Sequence, residues 1–113
     1  MTHHRDTYDY VESILGLLVV IRCNSSSARE LMSSLRFQRD WLSTRWTQKF
    51  NSEEDLAVAL NALRDGGILF AGGPSGWPPS AIFAHYRERG LCQGSFREIS
   101  WTAPHEQPAI SLR

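Results

Sequence analysis

The strongest hydrophobic pattern along the chain is NSEEDLAVALNALRDGG at 51–67, where Leu56, Leu60 and Leu63 recur at helical spacing and line one face. Asn51 and Glu54 form a box-like start, while Glu53, Glu54 and Asp55 fall in the first turn and Arg64 in the last, as the helix dipole favours. Gly66 or Gly67 is then expected to close the helix in the left-handed conformation. A second helix is predicted from about Ala28 to Arg36, with Ser27 and Glu30 as a capping box and Ala28, Leu31, Met32 and Leu35 on one face. A third, from Ser80 to Arg89, follows Pro78 and Pro79, which suit a helix entry because its first N–H groups lack partners anyway. Ile82, Phe83 and Tyr86 would face inward, and Gly90 would end it with Leu91 as the apolar cap contact.

Three segments read as strands: Thr44 to Phe50, where Thr44, Trp46, Gln48 and Phe50 alternate, Ile68 to Ala71, and Phe96 to Trp101, with Ile99 and Trp101 on one face. Leu42 and Trp46 also fit a prolonged helical face, so the start of the first of these is ambiguous. Residues 8–22 are harder still. Tyr8, Val11, Leu15 and Leu18 have helical spacing, with Asp6 or Thr7 as a cap, yet LLVVI after Gly16 is apolar and largely β-branched. The spacing favours a helix entering the core; the rival is a central strand from Ile14 to Arg22. Gln93 and Gly94 mark a turn, residues 1–5 a loose N-terminus, and Pro104 to Arg113, with a second proline at 108, an extended surface tail. The fold class these elements predict is α+β, three to four helices packed on a small mixed β-sheet as a single pair of layers, in one domain over 1–113.

Composition supports a folded chain: 42% of residues are hydrophobic and 21% charged. Twelve Lys and Arg balance twelve Asp and Glu, so no net field draws the whole chain towards nucleic acid or anionic lipid. Eleven of the twelve basic residues are Arg, which suits planar contacts to carboxylate, phosphate and aromatic rings, although high GC coding produces the same bias. The longest strongly apolar run, Ile14 to Ile21, is far short of the ~20 residues that span a bilayer. The N-terminus lacks the basic start, apolar middle and cleavage-like site of a signal peptide. Cys23 and Cys92 form no CxxC or secreted-type framework, and two free thiols are expected. The expected location is the cytoplasm, with no membrane contact.

Two stretches carry candidate chemistry. The loop GGPSGW at 72–77 (Gly73, Ser75, Gly76 and Trp77, with His85 beyond) invites a nucleophile elbow or an anion cradle. GxSxG would need glycine at 77, where the chain has Trp77, and two prolines remove N–H groups that a cradle uses. The plainer reading is a tight turn, with Trp77 folded back on the core and His85 a partly buried helix residue. His85, His105, Cys23 and Cys92 show no metal-ligand spacing, so no metal site and no cofactor is predicted.

The second stretch interleaves Arg36, Arg39, Arg45 and Lys49 with Phe37, Trp41, Trp46 and Phe50, and Asp40 is the only acid among them. Cations for phosphate with rings for base stacking are what single-strand binders use, and Arg with Trp also marks protein-interface hot spots. The plainer alternative is a half-buried strand with its aromatics inward and Arg in solvent. No acid, base and nucleophile set emerges, so binding is favoured over catalysis, although residues far apart in sequence can converge. The expectation is a small non-enzymatic protein-interaction module, a regulator or inhibitor subunit of a larger complex. Its partner would be another protein or a second copy of the chain, through Arg36, Arg39, Trp41, Arg45, Trp46 and Lys49. The alternatives are nucleic-acid binding by the same stripe, and a small-ligand, anion-binding or hydrolytic site at 72–85.

Overall fold

A computed structural model describes residues 7–73, 77–101 and 107–113. Residues 8–22 are neither a helix nor one strand but a hairpin, β1 (Tyr10–Leu15) and β2 (Leu18–Arg22), paired antiparallel with Leu15 opposite Leu18. The two-residue turn places Gly16 at φ +65°, a position that turns of this length reserve for glycine. The helical spacing has a structural cause. The register slips between Val11 and Ser13, a β-bulge at Glu12, and this puts Val11 and Ile14, three apart, into the same core. A bulged strand buried on both faces therefore imitates i, i+3 periodicity.

Helix α1 (Ser26–Ser34) follows, with Ser25 rather than Ser27 as its N-cap, accepting from the Ala28 N–H at 3.1 Å. Asp9 fixes that cap to the start of β1: one carboxylate oxygen accepts from the backbone N–H groups of Asn24 and Ser25, the other from the Ser25 hydroxyl. Strands β3 (Gln38–Arg39) and β4 (Arg45–Lys49) make a second hairpin. Helix α2 (Glu53–Asp65) has Ser52 as N-cap, one position after Asn51, with its three acids in the first turn as expected. Strand β5 (Leu69–Ala71), helix α3 (Pro79–Glu88), strand β6 (Arg97–Ser100) and strand β7 (Ala109–Leu112) complete the order. The segment read as a surface tail is extended and exposed at 109–112, but it is hydrogen-bonded into the sheet.

All three helices end in the same motif. The N–H of the first residue past the cap reaches back three residues and the next N–H reaches back five: Arg36 to Ser33 and Phe37 to Met32, Gly67 to Arg64 and Ile68 to Leu63, Gly90 to Arg87 and Leu91 to Tyr86. Each motif needs a left-handed residue. Gly67 (φ +86°) and Gly90 (φ +77°) supply it without strain, whereas α1 uses Arg36 at φ +67°.

The strands form one mixed sheet in the order β3-β4-β2-β1-β5-β6-β7, larger than the small sheet expected. β1, β5 and β6 run parallel in the middle, and antiparallel hairpins extend both edges. The apolar sides of the three helices pack on one face of it around Val19, Ile21, Leu56, Leu60, Phe70 and Phe83. Phe70, Phe83 and Phe96 form a triangle of rings with centroids 4.6–5.6 Å apart. A smaller cluster of Tyr10, Leu69 and Ile99, flanked by Tyr8, Ala71 and Trp101, occupies the other face. The radius of gyration, 13.3 Å, is that of a compact chain of this length.

Candidate functional site

The Arg and Trp stripe is taken apart by strand alternation. On β4, Trp46 lies opposite Ile21 and enters the helix-side core, 9% exposed. Arg45 lies on the other face opposite Arg22, and its Nε donates to Glu12 at 2.7 Å. The Glu12 bulge thus turns one carboxylate towards Arg22 and Arg45, on two strands. The bond to Glu12, reinforced by its charge, raises the Arg45 pKa above the usual guanidinium value. Arg36 and Lys49 line a shallow groove at the β3 edge with Gln38 and Thr47. Basic residues and rings therefore do not form one continuous track.

What the structure does bring together is Arg39 with Trp41. The tip between β3 and β4 presents Trp41 at 82% and Leu42 at 96% exposure, and the Arg39 guanidinium lies 5.0 Å from the Trp41 ring centroid. The tip is ordered from below. Asp40 Oδ1 accepts from the Leu42 N–H at 3.0 Å and Oδ2 from the Ser43 hydroxyl at 2.9 Å, while the Asp40 N–H donates to the Arg45 carbonyl. These bonds hold the Asp40 carboxyl below the usual carboxylate range, the Leu42 N–H contributing most. In the sequence Leu42 fits only a prolonged helical face. Asp40 followed by Ser43 was the available signal, since Asp side chains bond their own backbone two residues on.

The second candidate lies at the opposite end of the sheet. Gly72 and Gly73 leave the carboxyl end of β5, where the Gly72 N–H donates to the Ile99 carbonyl at 2.8 Å, and Ser75 and Gly76 lie outside the described residues, as do His3, His4, Asp6 and His105. Trp77 does not fold back on the core: it is 67% exposed and meets His85 edge to face at 5.7 Å. His85 is exposed too, not partly buried. The two rings edge an open cleft of about 460 Å³ whose apolar wall is Ile14, Leu17, Ile82 and Tyr86. Its rim holds the ion pair between Arg89, at the end of α3, and Glu53, in the first turn of α2. Burial, with Glu53 nearby, raises the Tyr86 hydroxyl pKa. Clefts outside the carboxyl ends of parallel strands are common ligand sites in open sheets. The sequence pointed to Trp77 and His85 but not to Glu53, Tyr86 or Arg89, which come from two other elements.

Among the described residues, neither place assembles a nucleophile with a base; Ser75, the candidate nucleophile of the loop, lies outside them. Cys23 and Cys92 are buried and free, and burial pushes their thiols up to about 12 and about 11, away from reactivity at neutral pH. Among the described residues no group of three or more His, Cys, Asp or Glu could hold a metal ion, and no helix is long and apolar enough to cross a membrane. No family model matches the chain, and neither the curated proteins nor the solved structures contain a match to it.

Proposed function

We propose that this chain is a non-enzymatic protein-interaction module that anchors its partner with Trp41 and Leu42. The observation that carries the reading is the ordered, exposed tip: two large apolar side chains stand in water on a turn that Asp40 holds in place. Moving one such side chain from water into a partner is worth roughly 1.5–3 kcal/mol. The turn reduces the ordering cost that binding would otherwise incur. Arg39 beside Trp41 supplies the cation and ring pairing found in interface hot spots. The tip favours a protein over a nucleic acid as the partner, because Trp46 is buried and Arg45 is engaged with Glu12. Two buried free thiols suit a reducing compartment, so we place this activity in the cytoplasm.

A photo-crosslinking amino acid at position 42 tests the reading in native cells, with the same group at Val58, exposed on α2, as the control. Position 42 should capture a discrete partner that position 58 does not. Trp41→Ala/Leu42→Ala should weaken that partner ~30-fold or more, the scale of a lost hot spot, with stability unchanged within ~0.5 kcal/mol. Equal capture at both positions, or a double variant that binds as well as the parent, overturns it.

The cleft below Trp77 supports a second reading, a site for a small, largely apolar ligand with one polar end near Arg89 and Glu53. Trp77 emission that stays constant across a broad fragment screen would count against it.

A further inference from the structure

The geometry points to a second interface, distinct from the Trp41 tip: self-pairing of β7 with β7 of another copy of this chain, antiparallel about a two-fold axis at Ser111. β7 is the last strand of the sheet, and all four of its residues are exposed, including Ile110 at 45% and Leu112 at 73%. The opposite edge is blunted because β3 is two residues long. β7 has no such guard: Ala109–Leu112 contains no charge, proline or glycine, and its pairing with β6 runs without a bulge.

Its hydrogen bonding selects both partner and register. The Arg113 N–H donates to the Phe96 carbonyl at 2.8 Å, one step beyond the pairing of Arg97 with Leu112. Antiparallel ladders alternate, so residues 113, 111 and 109 address β6, while the N–H and C=O of Ile110 and Leu112 point out from the free edge. An axis at Ser111 sets Ile110 opposite Leu112 of the second copy, twice, and satisfies all four outward N–H groups. An axis at Ile110 would set Leu112 opposite Pro108, which has no N–H to give.

Side chains agree with the same register. Ile110 and Leu112 share a face with Ile99, the residue opposite Ile110 on β6, so the new apolar pairs would continue the Tyr10, Leu69 and Ile99 cluster across the axis. The two Arg113 residues would stand ~14 Å apart along the strands, beyond a Debye length, each beside its own Glu98. A short ladder buries less than the ~1,600 Å² of a standard interface, so the dimer should be weak, with Kd on the order of 100 µM.

Sedimentation velocity on the full chain between ~5 and ~500 µM, a range that brackets this Kd, should show dimer growing with concentration. Ile110→Lys/Leu112→Lys should stay monomeric throughout with an unchanged thermal melt. The register has its own test. Ser111→Cys places two thiols at a directly opposed, non-hydrogen-bonded pair within disulfide reach, and under a mild oxidant it should link at least ~10-fold faster than Ala109→Cys, whose counterpart is Arg113. A chain monomeric at the highest concentration, a lysine variant that still dimerises, or equal linking of the two cysteine variants overturns the proposal. None of these outcomes touches the Trp41 surface, which lies at the other edge of the sheet.

Discussion

The two exposed tryptophans, Trp41 and Trp77, sit at opposite ends of the same sheet and are held in opposite ways. Trp41 stands on a hairpin tip that contributes nothing to either apolar cluster; Asp40 orders its backbone and Arg39 its ring. Trp77 leans on His85 beside a wall of Ile14, Ile82 and Tyr86, and that wall is the outer surface of the core. One surface depends on local hydrogen bonds and can be cut away at little cost to the fold. The other is inseparable from packing. A projecting anchor suits a partner that brings its own pocket, whereas a cleft with aromatic edges suits a ligand that enters it.

The largest expected effect separates the two ends through the core. Phe83, fully buried, packs on Phe70 and Phe96 from α3, the helix that carries Ile82, His85 and Tyr86 to the cleft, and Phe83→Ala should lower stability by about 3–5 kcal/mol in urea unfolding. It should shift the Trp77 indole resonance and leave that of Trp41 in place. Movement of both would mean that the tip is coupled to the core after all.

Smaller effects compare the caps that lead to each end. Arg36 feeds the β3–β4 hairpin from a left-handed position at which the other two helices use glycine. Arg36→Gly should therefore stabilise the fold by about 0.5–1 kcal/mol, and Gly90→Ala, below the cleft, should destabilise it by a similar amount. A loss of stability in Arg36→Gly would show that the Arg36 side chain makes a contact worth more than its strain. The smallest effect is pH-dependent. Because its folded-state pKa is lowered, Asp40 supports the tip fully above the ordinary Asp value, about 3.9, and that support is lost as pH falls through the lowered value. Protection of the Leu42 amide from exchange, relative to its intrinsic rate at each pH, should fall in that acid window while protection around Trp77 stays constant; Asp40→Ala should show the lower Leu42 protection at neutral pH as well.

Much of the helical frame was legible in the sequence. α2 and α3 stand within about one residue of their expected bounds, because acids at the start, prolines at the entry and glycine after the end act within a turn or two of the backbone. The N-caps moved by one or two residues, to Ser25 and Ser52, since Ser and Asn neighbours compete for the same N–H groups. Strands β4, β5 and β6 were also visible, as short β-branched or aromatic runs between breakers. Of the residues that form the two candidate surfaces, Trp41, Arg39, Trp77 and His85 are legible in the sequence as surface candidates, but Leu42, Glu53, Tyr86 and Arg89 are not.

By itself, the sequence determined the three helices, their ends to within about two residues, and the apolar residues through which they face the core, all through interactions between near neighbours. Tertiary structure decided the rest. A bulge at Glu12 made a strand resemble a helix, pairing with β6 turned a surface tail into β7, and burial parted Trp46 from Trp41, five residues away. The physical reason is one of range. Caps and helical periodicity are settled within about one turn of chain, whereas strand pairing, and the choice of which tryptophan meets water, depend on residues up to tens of positions distant.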